Sequence, residues 1–223
     1  MIFTWLGQAG ALLRCGETTV LVDPYFSNSA ASVACDRKMP VDPSVWSIKP
    51  DLILITHDHI DHHDPETLPH FVNEKVSATV LSPHSVRAKL LEYKGKHNLV
   101  EVREGVVWTH NDVVITTVSA VHSDPYAVGF IVEYKGKTVY LTGDTLFCPP
   151  LLEKIPYKKI DTVVLPINGK GNSMNASDAA KFADLINAEI AIPVHFGMLD
   201  DLNPSCFERE NTIVPEIYKE IKL

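Results

Sequence analysis

The chain of 223 residues carries 28 acidic against 20 basic side chains, a formal net charge of −8, and no basic stretch able to follow a phosphate backbone, which argues against a nucleic-acid partner. Its 45% hydrophobic and 22% charged content exclude disorder and low-complexity architectures, and the length fits a single domain spanning 1–223. No apolar run approaches the length of a bilayer span and the opening MIFTWLGQAG lacks a basic leader with an apolar h-region, so a cytoplasmic protein without membrane association is expected.

Residues 2–6, 11–15 and 18–22 read as short antiparallel strands, separated by Gly7-Gln8-Ala9-Gly10 and the turn Gly16-Glu17. The run DLILIT at 51–56 is too short for a helix and reads as a strand buried on both faces. It leads straight into ITHDHIDHHD at 55–64, where four histidines and three aspartates occupy ten positions. A helix is expected after Asp64, with Pro65 in its first turn, and another over 84–93 behind Pro83.

Strands are expected at 79–81, 99–102 and 106–109, then as a meander at 112–122, 127–134 and 138–144 with Lys135-Gly136-Lys137 as a hairpin turn. Strands at 162–167 and 188–195 flank a helix whose start is marked by Asn175 with Asp178 three positions later, a capping-box-like pair. Antiparallel and βαβ units in one chain imply an α/β sandwich of mixed sheets with helices on the outer faces. The four cysteines, Cys15, Cys35, Cys148 and Cys206, lack any C-x-x-C spacing and read as reduced thiols used as small buried hydrophobes.

His57-x-His59-x-Asp61-His62 is composed of side chains that present lone pairs to a divalent cation at neutral pH. In an extended segment His57 and His59 project to the same side and can share one ion, whereas Asp61 and His62 lie where the chain must turn and can face a second. His122, Asp144 and His195 each close a predicted buried strand, where loops converge on a crevice above a rigid sheet. Together these seven residues make a two-metal shell.

The segments LVDP (21–24), THDHIDH (56–62), AVH (120–122), LTGD (141–144) and IPVHFG (192–197), in that order, resemble the metallo-β-lactamase-fold hydrolases over essentially the whole chain. The resemblance implies an αβ/βα four-layer sandwich of two mixed β-sheets flanked by helices. It further implies that His57, His59 and His122 bind a first metal, that Asp61, His62 and His195 bind a second, and that Asp144 bridges them. WLGQAG (5–10), PINGKGNSMNASDAA (166–180) and IPVHFGM (192–198) look most like the ascorbate-6-phosphate lactonase branch and its relatives, although this chain is shorter and carries Gln8 where many relatives have a histidine.

The expectation is therefore a metal-dependent hydrolase that turns a metal-bridged hydroxide on a small ester or lactone, such as a phosphorylated sugar-acid lactone. A phosphodiesterase or nuclease on the same fold, and a non-catalytic metal-binding domain, are the alternatives. Ligands restricted to nitrogen and oxygen suit Zn2+ first, with Mn2+ or Fe2+ as the other candidates. Asp61, able to act as ligand and base in successive steps, is the expected catalytic residue. Asp23 and Gln8 are expected to support ligand histidines from behind.

Asn168 and Lys170, in the glycine-rich loop before the helix at Asn175, are the candidate substrate contacts, with Lys170 and the helix N-terminus offered to an anion. The same pattern equally describes a capped loop with an exposed lysine. A small-molecule substrate is the expected partner, and a homo-oligomer stays open. Bland roles are assigned to His63 and His84 as surface or capping residues, to His70, His97 and His110 as unpartnered loop residues, and to Trp5, Trp46 and Trp108 as core or cleft-wall aromatics.

Overall fold

The computed structural model describes all residues except 77, 96, 97 and 158, so the bland role assigned to His97 lies outside the described residues. Two mixed sheets face each other. The first is built from β1 (Ile2–Gly7), β2 (Gly10–Cys15), β3 (Thr18–Val22), β4 (Leu52–Leu54), β5 (Thr79–Ser82), β6 (Asn98–Glu101) and a C-terminal strand, Glu220–Lys222, that pairs antiparallel with β1. Its β1, β2 and β3 are antiparallel and its β3 to β6 parallel.

The second sheet holds β7 (Val107–His110), β8 (Val113–Ser119), β9 (Val128–Tyr134), β10 (Lys137–Leu141), β11 (Ile160–Pro166) and β12 (Ala188–Val194), which makes the C-terminal strand β13. Here β7 to β10 form the antiparallel meander, and β10, β11 and β12 are parallel. Few helices flank the sheets: α1 (Leu68–Phe71), α2 (His84–Leu90), α3 (Pro149–Glu153) and α4 (Ala176–Leu185). No helix among the described residues is long and apolar enough to cross a membrane.

The period of two in the strands decides which face each side chain serves. In β4, Leu52 and Leu54 enter the core between the sheets while Ile53 enters the cluster beneath α1 and α2, and all three are fully buried. In β2, Ala11, Leu13 and Cys15 face the central core and Leu12 the outer cluster. Both faces of this sheet are therefore covered, as the unbroken apolar run of 51–56 requires.

Several elements are shorter than the sequence pattern predicts, and polar contacts supply the reason. Strand β4 ends at Leu54 because the backbone N–H of Thr56 leaves the ladder for Oδ1 of Asp23, at 2.8 Å. Strand β8 ends at Ser119 rather than at His122, since the N–H of Val121 donates to Oγ1 of Thr145 at 2.9 Å. The helix expected from Asp64 is reduced to the single turn of α1, closed by the Asn73 side chain donating to the carbonyls of Pro69 and His70. The cap of α4 is as expected, with Asn175 accepting from the N–H of Asp178.

Some bland assignments also change. His63 is buried rather than at the surface, its ring parallel to that of Tyr93 at 6.3 Å. His70 belongs to α1 and lies 2.9 Å from the carbonyl of Trp46, and His110 closes β7. His84 is exposed beside Glu101, Trp5 is core, and of the four free thiols only Cys15 is buried while Cys206 is exposed.

Candidate metal centre

All seven predicted ligands come together at one edge of the sandwich, in three overlapping groups: His57, His59 and His122; His57, His62 and Asp144; and Asp61, His62 and His195, the candidate ligand atoms of each group lying within 4.8 Å of one another. The loop after β4 supplies four of them. It turns sharply past His59, whose carbonyl accepts the N–H groups of His62 and His63 at 3.0 and 2.7 Å, and this turn brings His62 back toward His57 with ring centroids 3.9 Å apart. His122 follows β8, Asp144 follows β10 and His195 follows β12 directly.

Glycine is required in the third of these loops. Gly143 has a φ of +60°, and a Cβ there would lie 2.8 Å from Cβ of Thr56. Three non-glycine residues at the centre also adopt left-handed backbone: Gln8 at φ 51°, Asp23 at 40° and His195 at 62°. Such conformations persist where surrounding contacts over-determine them, as they do here: the carbonyl of Gln8 accepts both the N–H of His195 at 3.0 Å and the indole N–H of Trp5 at 2.8 Å.

Hydrogen bonds on the far side of each ring decide which nitrogen faces the cluster. Asp23 is fully enclosed; its Oδ2 accepts from Nδ1 of His62 at 2.8 Å and from the hydroxyl of Thr56 at 2.6 Å. That hydroxyl, having given its proton to Asp23, accepts from Nδ1 of His57 at 3.0 Å. His122 donates through Nδ1 to the carbonyl of Asn172 at 3.1 Å, and Nε2 of His59 lies 3.0 Å from the hydroxyl of Ser123. Each of these rings thus turns its other nitrogen inward.

Nε2 of His57, Nε2 of His62 and Oδ1 of Asp144 are all buried and without any hydrogen-bond partner, and Oδ2 of Asp144 lies 3.3 Å from Nε2 of His195. A buried polar atom left unpaired costs about 1–3 kcal/mol. Three such atoms converging with further imidazole and carboxylate donors form a set that fits a divalent cation, and their orphan state is relieved by one.

Burial disfavours the charged form of His62, yet Asp61, Asp144 and Asp23 outweigh it and raise its pKa to about 9. His195 is likewise penalised by burial and raised well above the usual histidine range by Asp144 and Asp61, each 3.3 Å from its Nε2. Burial would raise Asp61 and Asp144, but His62 and His195 hold both below the usual carboxylate range. His57 goes the other way, lowered by burial and by the neighbouring charges of His62, His122 and His59.

The remaining predicted residues surround this cluster. Gln8 donates from Nε2 to Oδ2 of Asp61 at 2.8 Å, and the amide of Asn168 lies 2.8 Å from Nδ1 of His195, so Asn168 touches a candidate ligand. Lys170 is exposed and lines the mouth of a cleft of about 260 Å3 that opens onto His59, Asp61, Asp144 and His195. The N-terminus of α4 is filled by its own Asn175 side chain, with the acidic Asp178 in the first turn, so it does not offer itself to a second anion. One wall of the cleft is apolar, made by Ala30, Cys35, Ile60 and Leu199 over Tyr25 and Met198.

Sequence reasoning missed Thr56 and Ser123, whose hydroxyls lie against the rings of His57 and His59, and Asp124, which holds the backbone between those two ligands. The signal was present in their positions: each lies one or two residues from a candidate ligand, and each carries a short hydrogen-bonding side chain.

A family model described as a β-lactamase superfamily domain matches residues 18–196. A UPF0173 metal-dependent hydrolase of Methanosarcina mazei is 30% identical over 88% of this chain and 84% of its own length. One from Caldivirga maquilingensis is 29% identical, covering 93% of this chain and 87% of its own. Among solved structures, a metallo hydrolase from the archaeon Ignicoccus hospitalis superposes with a TM-score of 0.78 at 20% identity, covering 99% of this chain and 97% of that one, which shows a shared fold.

Proposed function

We propose, from the premise that the chain belongs to the β-lactamase superfamily and within it to the UPF0173 metal-dependent hydrolases, that it is a binuclear hydrolase of a small ester or lactone. The observation that carries the reading is that His57, His62 and Asp144, each with a buried polar atom that has no hydrogen-bond partner, form one of three overlapping His/Asp groups. His57, His59 and His122 would hold one ion, Asp61, His62 and His195 the other, and Asp144 would bridge them. Zinc is the ion proposed, with manganese and iron(II) suited to the same nitrogen and oxygen donors.

Divalent ions held by these residues would lower the pKa of a bound water and polarise the substrate carbonyl or phosphoryl oxygen. The protein's residues do the rest. Asp61 has its Oδ2 engaged by Gln8 and His195, which leaves Oδ1 as the oxygen that would receive the proton of the attacking water. Gln8 fixes the plane of that carboxylate, and Asp23 fixes the rings of His57 and His62. The apolar wall of Ala30, Cys35, Ile60 and Leu199 excludes bulk water from one side and accepts the hydrocarbon part of a substrate.

The likeness of WLGQAG and PINGKGNSMNASDAA to the ascorbate-6-phosphate lactonase branch supports a lactone, and Lys170 at the mouth supports an anionic group on it, as in a phosphorylated sugar-acid lactone. The test is elemental analysis of the gently purified protein, followed by assays of the loaded form against lactones, phosphodiesters and thioesters. Two ions per chain with activity centred on lactones supports the reading; activity confined to phosphodiesters replaces it with the nuclease-type alternative, and inactivity throughout leaves a metal-binding domain.

A further inference from the structure

Behind the first group of histidines lies a set of contacts that the proposed reaction does not use. Asp58 sits between His57 and His59, and its backbone N–H donates to Oδ2 of Asp124 at 3.0 Å. Asp124 lies two residues beyond His122, so a single carboxylate ties together the two segments that supply all three nitrogens of that group. It is itself buried, and its Oδ1 accepts the N–H of Tyr126 at 2.9 Å, which fixes the orientation of the carboxylate. Beside it, the N–H of Val128 donates to the carbonyl of Thr56 at 3.0 Å, a second tie across the same joint.

The joint is braced from one side by α2. The hydroxyl of Ser85 donates to the same Oδ2 of Asp124 at 2.6 Å, and Nζ of Lys89 lies 2.8 Å from Oδ1 of Asp58. Ser85 and Lys89 are four residues apart, hence one turn apart on a single face of that helix. Val86 and Leu90, both fully buried, seat α2 in the hydrophobic cluster on the outer face of the first sheet. The brace therefore rests on packed structure rather than on a loop.

We propose that Asp124 is a positioning residue for the metal held by His57, His59 and His122, acting on the backbone between the ligands, with Ser85 and Lys89 of α2 as its fixed support. A metal site tolerates only about 0.5 Å of displacement of its donors, and the two loops here have no other common carboxylate among the described contacts. Removing the carboxylate leaves the Asp58 N–H unpaired and lets the His122 loop part from the His57–His59 loop. The inference rests on the two-metal reading but makes a claim that reading does not contain: one of the two sites depends on Asp124 and the other does not.

The experiment is a competition titration of zinc, and separately of cobalt(II), against a chromophoric chelator, using the full chain as the parent, Asp124→Ala, Asp124→Asn and Lys89→Ala. Melting of the metal-free forms is measured alongside. Asp124→Ala should raise one of the two dissociation constants by about 10–100-fold, alter the cobalt spectrum of that site, and leave the other constant within about twofold. Asp124→Asn, whose amide oxygen can still accept the Asp58 N–H while its NH2 then faces the N–H of Tyr126, should restore part of the affinity, and Lys89→Ala, a partly exposed substitution, should weaken the same constant to a smaller extent than Asp124→Ala.

The proposal is overturned if both constants are unchanged in folded Asp124→Ala. It is equally overturned if both rise together, with a lowered metal-free melting temperature that Asp124→Asn does not rescue, because that is the signature of a structural role alone. Should Asp124→Ala fail to fold, the asparagine and Lys89 variants decide by the same criterion. A parent that takes up a single ion refutes the two-metal reading, and the effect of the variants on that ion still decides for or against Asp124; a parent that binds none refutes both.

Discussion

Nδ1 of His62 lies 2.8 Å from Oδ2 of Asp23 with both side chains closed off from solvent, and the same oxygen reaches His57 through the hydroxyl of Thr56. One carboxylate thus sets the orientation of two rings, one in each proposed half of the centre. Replacing Asp23 by alanine is expected to weaken metal binding by about 10–100-fold, and at both sites, in contrast to the single-site effect proposed for Asp124. Chelator competition checks this; an unchanged affinity in the folded variant would remove Asp23 from the role assigned to it.

Asp61 and His63 are two residues apart and should behave in opposite ways. Asp61→Asn removes the proton acceptor and is expected to lower kcat by about 10²–10⁴-fold with the fold intact. His63 faces away from the cluster into a packed site beside Tyr93, so His63→Ala should leave turnover within a few-fold while lowering the melting temperature by about 2–8 °C, the equivalent of about 1–2 kcal/mol in a chain of this size. Equal losses of turnover in the two variants would sink the distinction.

Lys170 stands at the mouth of the cleft, exposed and without a role in the metal cluster. Lys170→Ala should raise KM for an anionic lactone about tenfold or more while barely changing KM for a neutral analogue, as expected when an ionic contact worth about 1.4 kcal/mol or more is lost. Equal changes for the two substrates, or none, would make Lys170 a surface charge.

The metal-free protein should lose stability as the pH rises. The folded pKa of His62, about 9, lies above the unfolded value of about 6.5, so its stabilising contribution is fully present below pH 6.5 and is lost as the pH climbs through 9. His195 is shifted in the same direction. The lowered Asp61 and Asp144 contribute above the unfolded carboxylate range and lose that contribution only as the pH falls toward acid. His57, lowered by burial, disfavours folding below pH 6.5. The melting temperature of chelator-treated protein is therefore expected to fall between pH 6.5 and pH 9, and the fall should be smaller in the metal-loaded form, where a ligand ring is neutral and keeps only the proton on its other nitrogen. A metal-free melting temperature that rises over this interval contradicts the assignment.

The succession of strands along the chain as far as β12, the mixed character of the sheets and the spacing of the candidate ligands were legible in the chain, because burial on a pleated sheet imposes a period of two and metal-binding types are rare enough to stand out when crowded into 57–62, whereas the strand Glu220–Lys222 and its place beside β1 were not. The cap at Asn175 and Asp178 was legible for the same reason: its hydrogen bonds span three residues. What the chain alone could not give is which strands stop early and which side chains support the ligands. Strand β4 ends where Thr56 turns to Asp23, 33 residues away in sequence, and the loop between His57 and His59 is held by Asp124, 66 residues from Asp58. His63 shows the limit from the other side: as close to the motif as any ligand, it is turned by the tight bend after His59 into packing with Tyr93, 30 positions further along the chain. Periodicity and capping act through neighbours along the chain, whereas the direction of a ring and the partner of a buried carboxylate are settled by elements that meet only when the two sheets have packed.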